Sequence, residues 1–359
     1  VSYDNGIYQF TGLTANTTYY FKIYPYNGTG VSVNYKTDGT VPEDVATTQE
    51  APLIIINEVD ADTPGTDAAE FIELFDGGIG NTPLDGYVVV LYNGSNDLSY
   101  AAYDLDGYST DANGYFVIGN AGVPGVSIVF AGNFLQNGAD GVALYTDNAS
   151  TFPNNTPVTT TNLIDAFVYD TNDDDDAGLL VLLNSGEPQV NESGRGKRDF
   201  HSSQRLPNGS GGARNTSTYD QTLPTPGAAN AYADISWTGT TDTDWAVTTN
   251  WNPNYVPDIV SNAIIPDVTN DPVISATAVC KDLTIAASAI VEIAATGSLT
   301  VDGTLSNSGS LNIKSTATGT GSLINSTANV PATVERYIEA ATWETAGSGW
   351  HLLSSPVAA

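Results

Sequence analysis

The sequence contains no methionine, one cysteine and two histidines, and it has 41 acidic residues against only 10 basic ones. The single cysteine, Cys280, excludes a disulfide within the chain, and its strand-like surroundings predict a buried thiol. The histidines, His201 and His351, both lie far from any serine motif of the nucleophile-elbow type. Catalysis by a Ser-His-Asp set is therefore not expected.

The acidic surplus gives a formal net charge of -31, which repels polyanions. We therefore expect no direct nucleic-acid binding. Two interpretations of the charge remain open. One is a cationic partner, and the other is a general adaptation to salty surroundings, where mobile ions screen self-repulsion over roughly 10 Å at 0.1 M. No apolar run approaches the length of a membrane span, so membrane insertion is not expected.

The apolar residues, 41% of the chain, occur in short Val, Ile, Leu and Tyr runs bounded by 35 Gly and 18 Pro. This pattern predicts an all-β protein. A length of 359 residues suggests two or three domains, each large enough to bury its own core.

Two motifs bracket about half of the chain, INEVDADTPGTDAAEFIEL at 56–74 and LPTPGAAN at 223–230. With LDGY at 84–87 and SSQRLPNG around Arg205, they resemble the lamin-tail domain, an immunoglobulin-like sandwich found in bacterial secreted proteins. The resemblance implies a binding or spacer module over 51–230. Seven runs between Gly, Asn, Asp and Pro clusters supply the strands of such a sandwich, at 53–56, 71–75, 87–92, 115–119, 127–130, 141–145 and 163–169.

The opening of the chain contains FTGLTANTTYYFKIYPYN at 10–27. It resembles the penultimate strand of a fibronectin type III domain, with Leu13 and Tyr19 in the spacing of the tyrosine corner. Residues 1–48 supply only the last strands of such a domain, so we expect the chain to be part of a longer protein. The alternative is a hairpin packed on the next domain, joined through the linker TTQEAP at 47–52.

A tryptophan-rich segment, ISWTGTTDTDWAVTTNWNPNYVP, follows from residue 235. It resembles the opening segment of repeats in large surface proteins of Bacteroidota. Trp237, Trp245 and Trp251 allow two interpretations: they seal the open end of a core, or they stack on sugar rings as a carbohydrate-binding site.

An internal repeat follows, in which short Leu-x-Ile/Val units recur at spacings of 8, 8, 12 and 12 residues: DLTI (282–285), IVEI (290–293), SLTV (298–301), SLNI (310–313) and SLIN (322–325). Each unit offers two inward apolar residues around an outward polar one, with a Gly, Asn or Ser corner. This pattern predicts a short parallel β-helix or solenoid over 234–329. The sequence after Pro331, with Trp343, Trp350 and Leu352, resembles the start of a further β-domain over 330–359.

The first of two acidic clusters surrounds the Pro64–Gly65 turn and comprises Glu58, Asp60, Asp62, Asp67, Glu70 and Glu73. Carboxylates gathered on a turn suit calcium, which takes six to eight oxygen ligands, and Asp60, Asp62 and Asp67 are the candidate ligands. The alternative is a solvated loop, because strand alternation sends Glu70 and Glu73 to opposite faces.

The second cluster is DTNDDDDAGLL at 170–180. Asp170, Asn172 and Asp174 fit the first three ligand positions of a calcium loop. Asp175 stands where an EF-hand needs Gly, and no Glu follows at the twelfth position, so the segment is not an EF-hand. Calcium and a solvated loop both remain open. The one basic patch, Arg195, Lys197 and Arg198, is interpreted as a Gly-rich loop or an ion-pairing strip.

Taken together, the sequence predicts tandem β-sandwich modules, fibronectin III-like and lamin-tail-like, followed by the solenoid. The leading hypothesis for function is a non-catalytic structural or adhesive region of a large secreted or cell-surface protein, exported by type IX secretion through segments outside this chain. Partners would be other surface proteins or extracellular polysaccharide. The alternatives are the accessory region of a secreted nuclease or other hydrolase with an upstream catalytic domain, and a carbohydrate-binding module.

Overall fold

The computed structural model describes residue 13 and residues 17–47 and 53–338. Over these residues the regular structure consists of β-strands and six short 3₁₀ helices, which confirms the all-β prediction. Among the same residues, no helix is long and apolar enough to cross a membrane.

The first described segment contains two small antiparallel pairs. Its strands are β1 (Thr18–Lys22), β2 (Tyr26–Asn27), β3 (Asn34–Tyr35) and β4 (Glu43–Thr47), with a 3₁₀ turn at Gly30–Ser32. β1 pairs with β4, and alternation leaves Tyr19 and Phe21 half-buried while Tyr20 is exposed. Residues 10–12 and 14–16 of the motif that resembles a fibronectin type III strand, and residues 48–52 of the linker, lie outside the described residues.

The region from 53 to 230 is a β-sandwich of two sheets. Its strands are β5 (Ile55–Asp60), β6 (Phe71–Phe75), β7 (Tyr87–Asn93), β8 (Leu98–Asp104), β9 (Tyr115–Gly119), β10 (Val126–Val129), β11 (Asp140–Thr146), β12 (Leu163–Asp170), β13 (Val190–Asn191), β14 (Ser202–Arg205) and β15 (Tyr219–Thr222). One sheet has the order β10-β9-β6-β5-β14-β15, and the other has the order β13-β12-β11-β7-β8. The seven predicted strands are all present, whereas β8, β13, β14 and β15 were not predicted.

The main core of the sandwich lies between the two sheets, and it contains alternate residues of both, among them Ile72, Leu74, Val89, Leu91 and Phe167. The other face of the five-stranded sheet packs against loop residues that include Phe152, Leu179 and Leu182. Four 3₁₀ turns lie in these loops, at Ala149–Thr151, Leu180–Leu182, Glu192–Arg195 and Arg198–Phe200.

From Ala233 the chain winds as a β-solenoid, which confirms the predicted β-helix-like region. Its strands are β16 (Ala233–Trp237), β17 (Trp251–Asn252), β18 (Ser261–Ile265), β19 (Val273–Ile274), β20 (Thr277–Cys280), β21 (Leu283–Ile285), β22 (Ile290–Ile293), β23 (Ser298–Val301), β24 (Leu305–Asn307), β25 (Ser310–Ile313), β26 (Ser315–Thr316), β27 (Gly319–Thr320), β28 (Ser322–Ile324) and β29 (Thr333–Val334), with a sixth 3₁₀ turn at Thr248–Asn250.

Three parallel sheets form the three faces of the solenoid. The first contains β16, β18, β21 and β24, the second β19, β22, β25 and β29, and the third β20, β23 and β28. Partner residues Ala263, Leu283 and Leu305 on the first face are 20 and 22 residues apart, which is one full coil each time. The solenoid continues past residue 329, because β29 pairs with β25.

This geometry explains the unequal spacing of the sequence repeat. Each repeat unit is one strand of one face, and three strands make a coil. The first spacing of 12 arises because β24 is inserted between β23 and β25, and the second because the β26–β27 hairpin interrupts the coil before β28. Leu299 and Leu311 point into the core and are fully buried, as is the thiol-bearing Cys280.

Candidate functional site

The first acidic cluster does not form a single site. Glu58 and Glu73 are register partners on the outer face of the six-stranded sheet, beside a bulge between Ile56 and Glu58. Glu70 lies across the sheet from Glu73 and accepts hydrogen bonds from the backbone N–H groups of Phe134 and Leu135 at 3.0 and 2.9 Å. Glu70 therefore has different surroundings from the Glu58 and Glu73 pair.

The three candidate calcium ligands of this cluster each have a different environment. Asp67 accepts a hydrogen bond from the Thr63 N–H at 2.8 Å. Asp62 forms an ion pair with Arg198 at 3.0 Å. Asp60 is buried with one carboxylate oxygen unpaired, and burial, followed by the charge of Glu192, raises its pKa. Asp62 and Asp67 already have protein partners in this arrangement.

Glu58 and Glu73 instead bind residues 223–230, which we call the closing segment. The Thr225 N–H and hydroxyl donate to the two Glu58 oxygens, both at 2.8 Å. The Gly227 N–H donates to Glu73 at 2.7 Å. Asn230 ends the segment and donates its side-chain N–H to the Asn57 carbonyl at 3.0 Å. The two motifs that resemble a lamin-tail domain are therefore hydrogen-bonded to each other.

Beneath this surface, Arg205 and Asp165 form an ion pair at 3.0 Å with both side chains fully buried. Arg205 also lies 4.9 Å from the centre of the Tyr219 ring and donates to three backbone carbonyls, those of Ile56, Ser210 and Gly212. The single Arg in SSQRLPNG was noted in the sequence, but its buried role and its Asp165 partner were not.

The second acidic cluster is a loop that is ordered by its own hydrogen bonds. Asp170 is buried and accepts from the backbone N–H of Asn172 at 2.8 Å and from the Gln189 side chain at 2.9 Å. Asn172 adopts a left-handed φ of 85° and accepts from the Asn191 side chain at 3.2 Å. Asp174 is exposed. Two of the three candidate ligands, Asp170 and Asn172, therefore already have protein partners.

Within the described part of the chain, no group of three or more His, Cys, Asp or Glu side chains could hold a metal ion. The two interpretations of each cluster, calcium binding and a solvated loop, stay predictions.

The three tryptophans of the opening segment are packed in the solenoid core at its N-terminal end. Trp237 and Trp251 lie on paired strands with ring centres 5.0 Å apart, and Trp245 packs edge-on against Trp251 at 4.6 Å. Their exposed fractions are 0%, 1% and 3% for Trp237, Trp251 and Trp245. Rings buried in this way do not offer their faces to a sugar, so the geometry is that of a cap.

Asn250 holds the loop that carries these rings. It is fully buried, and its side-chain N–H groups donate to Asp242 at 2.7 Å and to the Asp244 carbonyl at 2.9 Å. Its oxygen accepts from the N–H groups of Thr241 and Asp242. All the hydrogen-bonding groups of this buried amide are therefore used, which positions the tryptophans.

A further cluster joins the sandwich to the solenoid. His201, buried on the sandwich side, lies 2.9 Å from the Tyr255 hydroxyl on the solenoid side. That hydroxyl donates to Asp258, which also lies 3.4 Å from the His201 ring nitrogen. Burial alone would raise the pKa of Asp258, but hydrogen bonds from His201 and Tyr255 lower it to about 2. Residues 54 positions apart gave no sequence signal for this contact.

The basic patch borders the same junction and pairs with nearby acids. This agrees with the ion-pairing strip, one of the two interpretations of its sequence. Arg195 forms a two-pronged contact with Asp220, at 2.8 Å for each hydrogen bond. Lys197 lies over the Tyr255 ring, 5.2 Å from its centre.

Comparison with known proteins found a similarity for one segment of the chain. Residues 236–359 match the family described as Domain of unknown function (DUF8693), a match that begins in β16 and includes the whole of the solenoid beyond it. The searches of curated proteins and of solved structures gave no match.

Proposed function

We propose that this chain is a non-catalytic structural and adhesive region of a secreted or cell-surface bacterial protein. Its β modules would serve as spacers and interaction surfaces. The contact between the sandwich and the solenoid carries this proposal. A spacer must hold one module at a fixed position relative to the next, and a mobile junction would not do so.

The junction is buried and has both polar and apolar contacts. Besides the His201–Tyr255–Asp258 cluster, the Thr222 hydroxyl donates to the Val260 carbonyl at 3.0 Å in a buried position. Leu223, at the start of the closing segment, packs against the solenoid core. The same stretch of chain thus belongs to the sandwich and contacts the interior of the solenoid, which favours a stiff unit.

Small-angle X-ray scattering tests the stiffness. We expect the wild-type chain to scatter as one extended body over residues 53–338. The Tyr255→Phe variant removes the hydroxyl that joins His201 to Asp258 and should broaden the distribution of distances. Tyr108→Phe, on the sandwich, is the matched control. Scattering of the wild type that requires independently moving modules would contradict the proposal.

The non-catalytic part is tested separately. The acidic clusters serve loop capping and buried hydrogen bonds, and the Glu58 and Glu73 carboxylates are covered by the closing segment, whose Thr225 and Gly227 N–H groups occupy them. We expect no turnover of DNA, peptides, phosphate esters or polysaccharides with calcium and magnesium present. Turnover that disappears on mutation of one acidic cluster would overturn this assignment.

The partners and location belong to the same proposal. A net charge of -31 keeps a spacer soluble and favours cationic or neutral partners over polyanions. Other surface proteins and extracellular polysaccharides therefore remain the proposed partners, and the outer cell surface or the medium the proposed location.

A further inference from the structure

Two buried glutamates face each other across the outer surface of the six-stranded sheet. Glu58 on β5 and Glu73 on β6 are register partners, and both side chains are fully buried. Register partners on one face of an antiparallel pair have Cβ atoms about 4.5–5.5 Å apart. Two carboxylates at this separation cannot both ionise at low cost in a buried site.

The donors around the pair are neutral. Glu58 accepts from Ser202 at 2.5 Å and from Thr225, and Glu73 accepts from Asn57 at 2.9 Å and from Gly227. Among the described residues, four titratable groups have a charge interaction with one of the pair, and all four are acidic or phenolic: Asp60 on β5, Asp111 before β9, Tyr115 on β9 and Tyr219 on β15. The closing segment itself carries no titratable side chain.

We propose that a proton carried by one of the two carboxyl groups of Glu58 and Glu73 fixes the closing segment to the sandwich, and that loss of this proton releases the segment. With the proton present, the pair carries one negative charge, and the N–H groups of Thr225 and Gly227 are sufficient to stabilise it. Without it, two like charges repel across β5 and β6, and water must enter to solvate them. The closing segment is the cover that water would displace.

The release would affect the junction between the modules. The closing segment runs directly from β15 towards β16, the first strand of the solenoid. The Leu223 carbonyl accepts from Gln204 at 2.7 Å while its side chain packs on the solenoid core. A free closing segment would therefore lengthen the connection between the modules.

The pH range follows from the two groups. Burial raises the pKa of Glu58 from 4.5 to about 7, and burial together with the charge of Glu58 raises the pKa of Glu73 from 4.5 to about 9. Because both values are raised in the folded state, the pair stabilises the fold fully below pH 4.5. This contribution is lost as pH rises through about 7 and about 9.

Hydrogen exchange followed by mass spectrometry tests the proposal on the whole chain, with labelling times scaled to the intrinsic rate at each pH. The peptide that covers 223–230 is compared with one that covers β7, at pH values of about 8 and about 10, which lie on either side of the pKa of Glu73 and above that of Glu58. In the wild type, the protection of 223–230 relative to β7 should fall by about tenfold or more.

Neutral variants separate the loss of this proton from a general alkaline loosening. Glu73→Gln keeps an oxygen for Gly227 and removes the ionisable group, so the relative protection should change by less than about twofold over the same range. Glu58→Gln should behave similarly and serves if the first variant does not fold. Glu335→Gln, on the exposed side of the solenoid, is the matched control and should retain the wild-type pH dependence. The proposal is overturned if wild-type protection does not change, or if the Gln variants lose as much as the wild type.

Discussion

At the scale of single residues, several buried polar groups of the sandwich tie a distant part of the chain to β5. Arg205 reaches the Ile56 carbonyl, and Asp165 accepts from the Ile56 N–H at 2.8 Å. A buried charge costs free energy unless it is paired and hydrogen-bonded. This pair meets that condition, because Arg205 also donates to the Ser210 and Gly212 carbonyls.

Arg205→Ala should therefore lower the free energy of unfolding by about 3–5 kcal/mol, because it leaves Asp165 as an unpaired buried charge. The matched control is Arg195→Ala, whose ion pair with Asp220 is partly exposed and should cost at most about 1 kcal/mol. Urea denaturation of both variants measures the difference. Equal losses of unfolding free energy in the two variants would show that burial does not increase the contribution of the Arg205–Asp165 pair to stability.

At the scale of strands, the sequence predicted best where apolar residues alternate in short runs between turns. LTI, IVEI and SLTV on successive faces of one coil were recognised for this reason. β24 (LSN) was missed because it has a single apolar residue, and β8 was missed because LSYAAYD has no clear alternation. The first-face strand of the next coil, β24, and hence the coil length, needed the structure.

The pairing of Glu58 with Glu73 also could not be predicted from the sequence. Alternation placed Glu70 and Glu73 on opposite faces, but the bulge between Ile56 and Glu58 is what sets Glu58 opposite Glu73. A bulge shifts the face of every residue that follows it, and its position cannot be read from the apolar pattern alone. The motif at 223–230 marked a domain end without revealing that its amides bind these carboxylates.

The solenoid repeat predicts the effect of a core truncation. Leu299→Ala should cost about 2–5 kcal/mol, because the side chain is fully buried and its neighbours in adjoining coils cannot collapse into the space. Thr300→Ala, the next residue on the outward side of β23, should change stability by about 0.5 kcal/mol or less. Exchange of amides in β20 and β28, which pair with β23, should accelerate in Leu299→Ala before exchange in the sandwich does. Uniform acceleration through both modules would contradict a stack of local coils.

The loops with the acidic clusters give a further prediction. Asp67 and Asp170 already accept hydrogen bonds from the backbone, and Asp62 already has a cation beside it. We therefore expect the melting temperature to stay the same between excess chelator and millimolar calcium. A rise with calcium concentration would signal binding to the folded state. Loss of that rise in Asp60→Asn or in Asp174→Asn would assign it to the first or second cluster.

At the scale of the whole molecule, buried carboxyl groups set the dependence of stability on pH. Burial raises the pKa of Glu70 to about 7 and of Glu192 to about 8, beside the raised values of Glu58 and Glu73. Groups with raised values stabilise the fold below their unfolded pKa of 4.5 and lose this contribution as pH rises through about 7 to 9. The lowered pKa of Asp258 acts in the opposite sense, but only at much lower pH, through about 2.

We therefore expect the free energy of unfolding to decrease steadily between pH values of about 5 and about 9. Urea titrations across this range measure it. The matched variant is Glu192→Gln, which removes one of the contributing groups and should make the decrease shallower. An increase in stability towards alkaline pH would show that these carboxyl groups are ionised in the folded protein.

The parallel stacking of coils also fixes the length that each coil adds to the solenoid. Each coil adds one strand to every face, so the distance between the two ends of the stack grows by about 4.8 Å per coil, the spacing of neighbouring strands. The core at each level is supplied by that coil and its neighbours alone. Deletion or duplication of one coil of 20 to 22 residues would therefore change the reach of the solenoid by a fixed small step while its cross-section stays the same. Selection could adjust the reach of such a protein in these increments without redesigning either end.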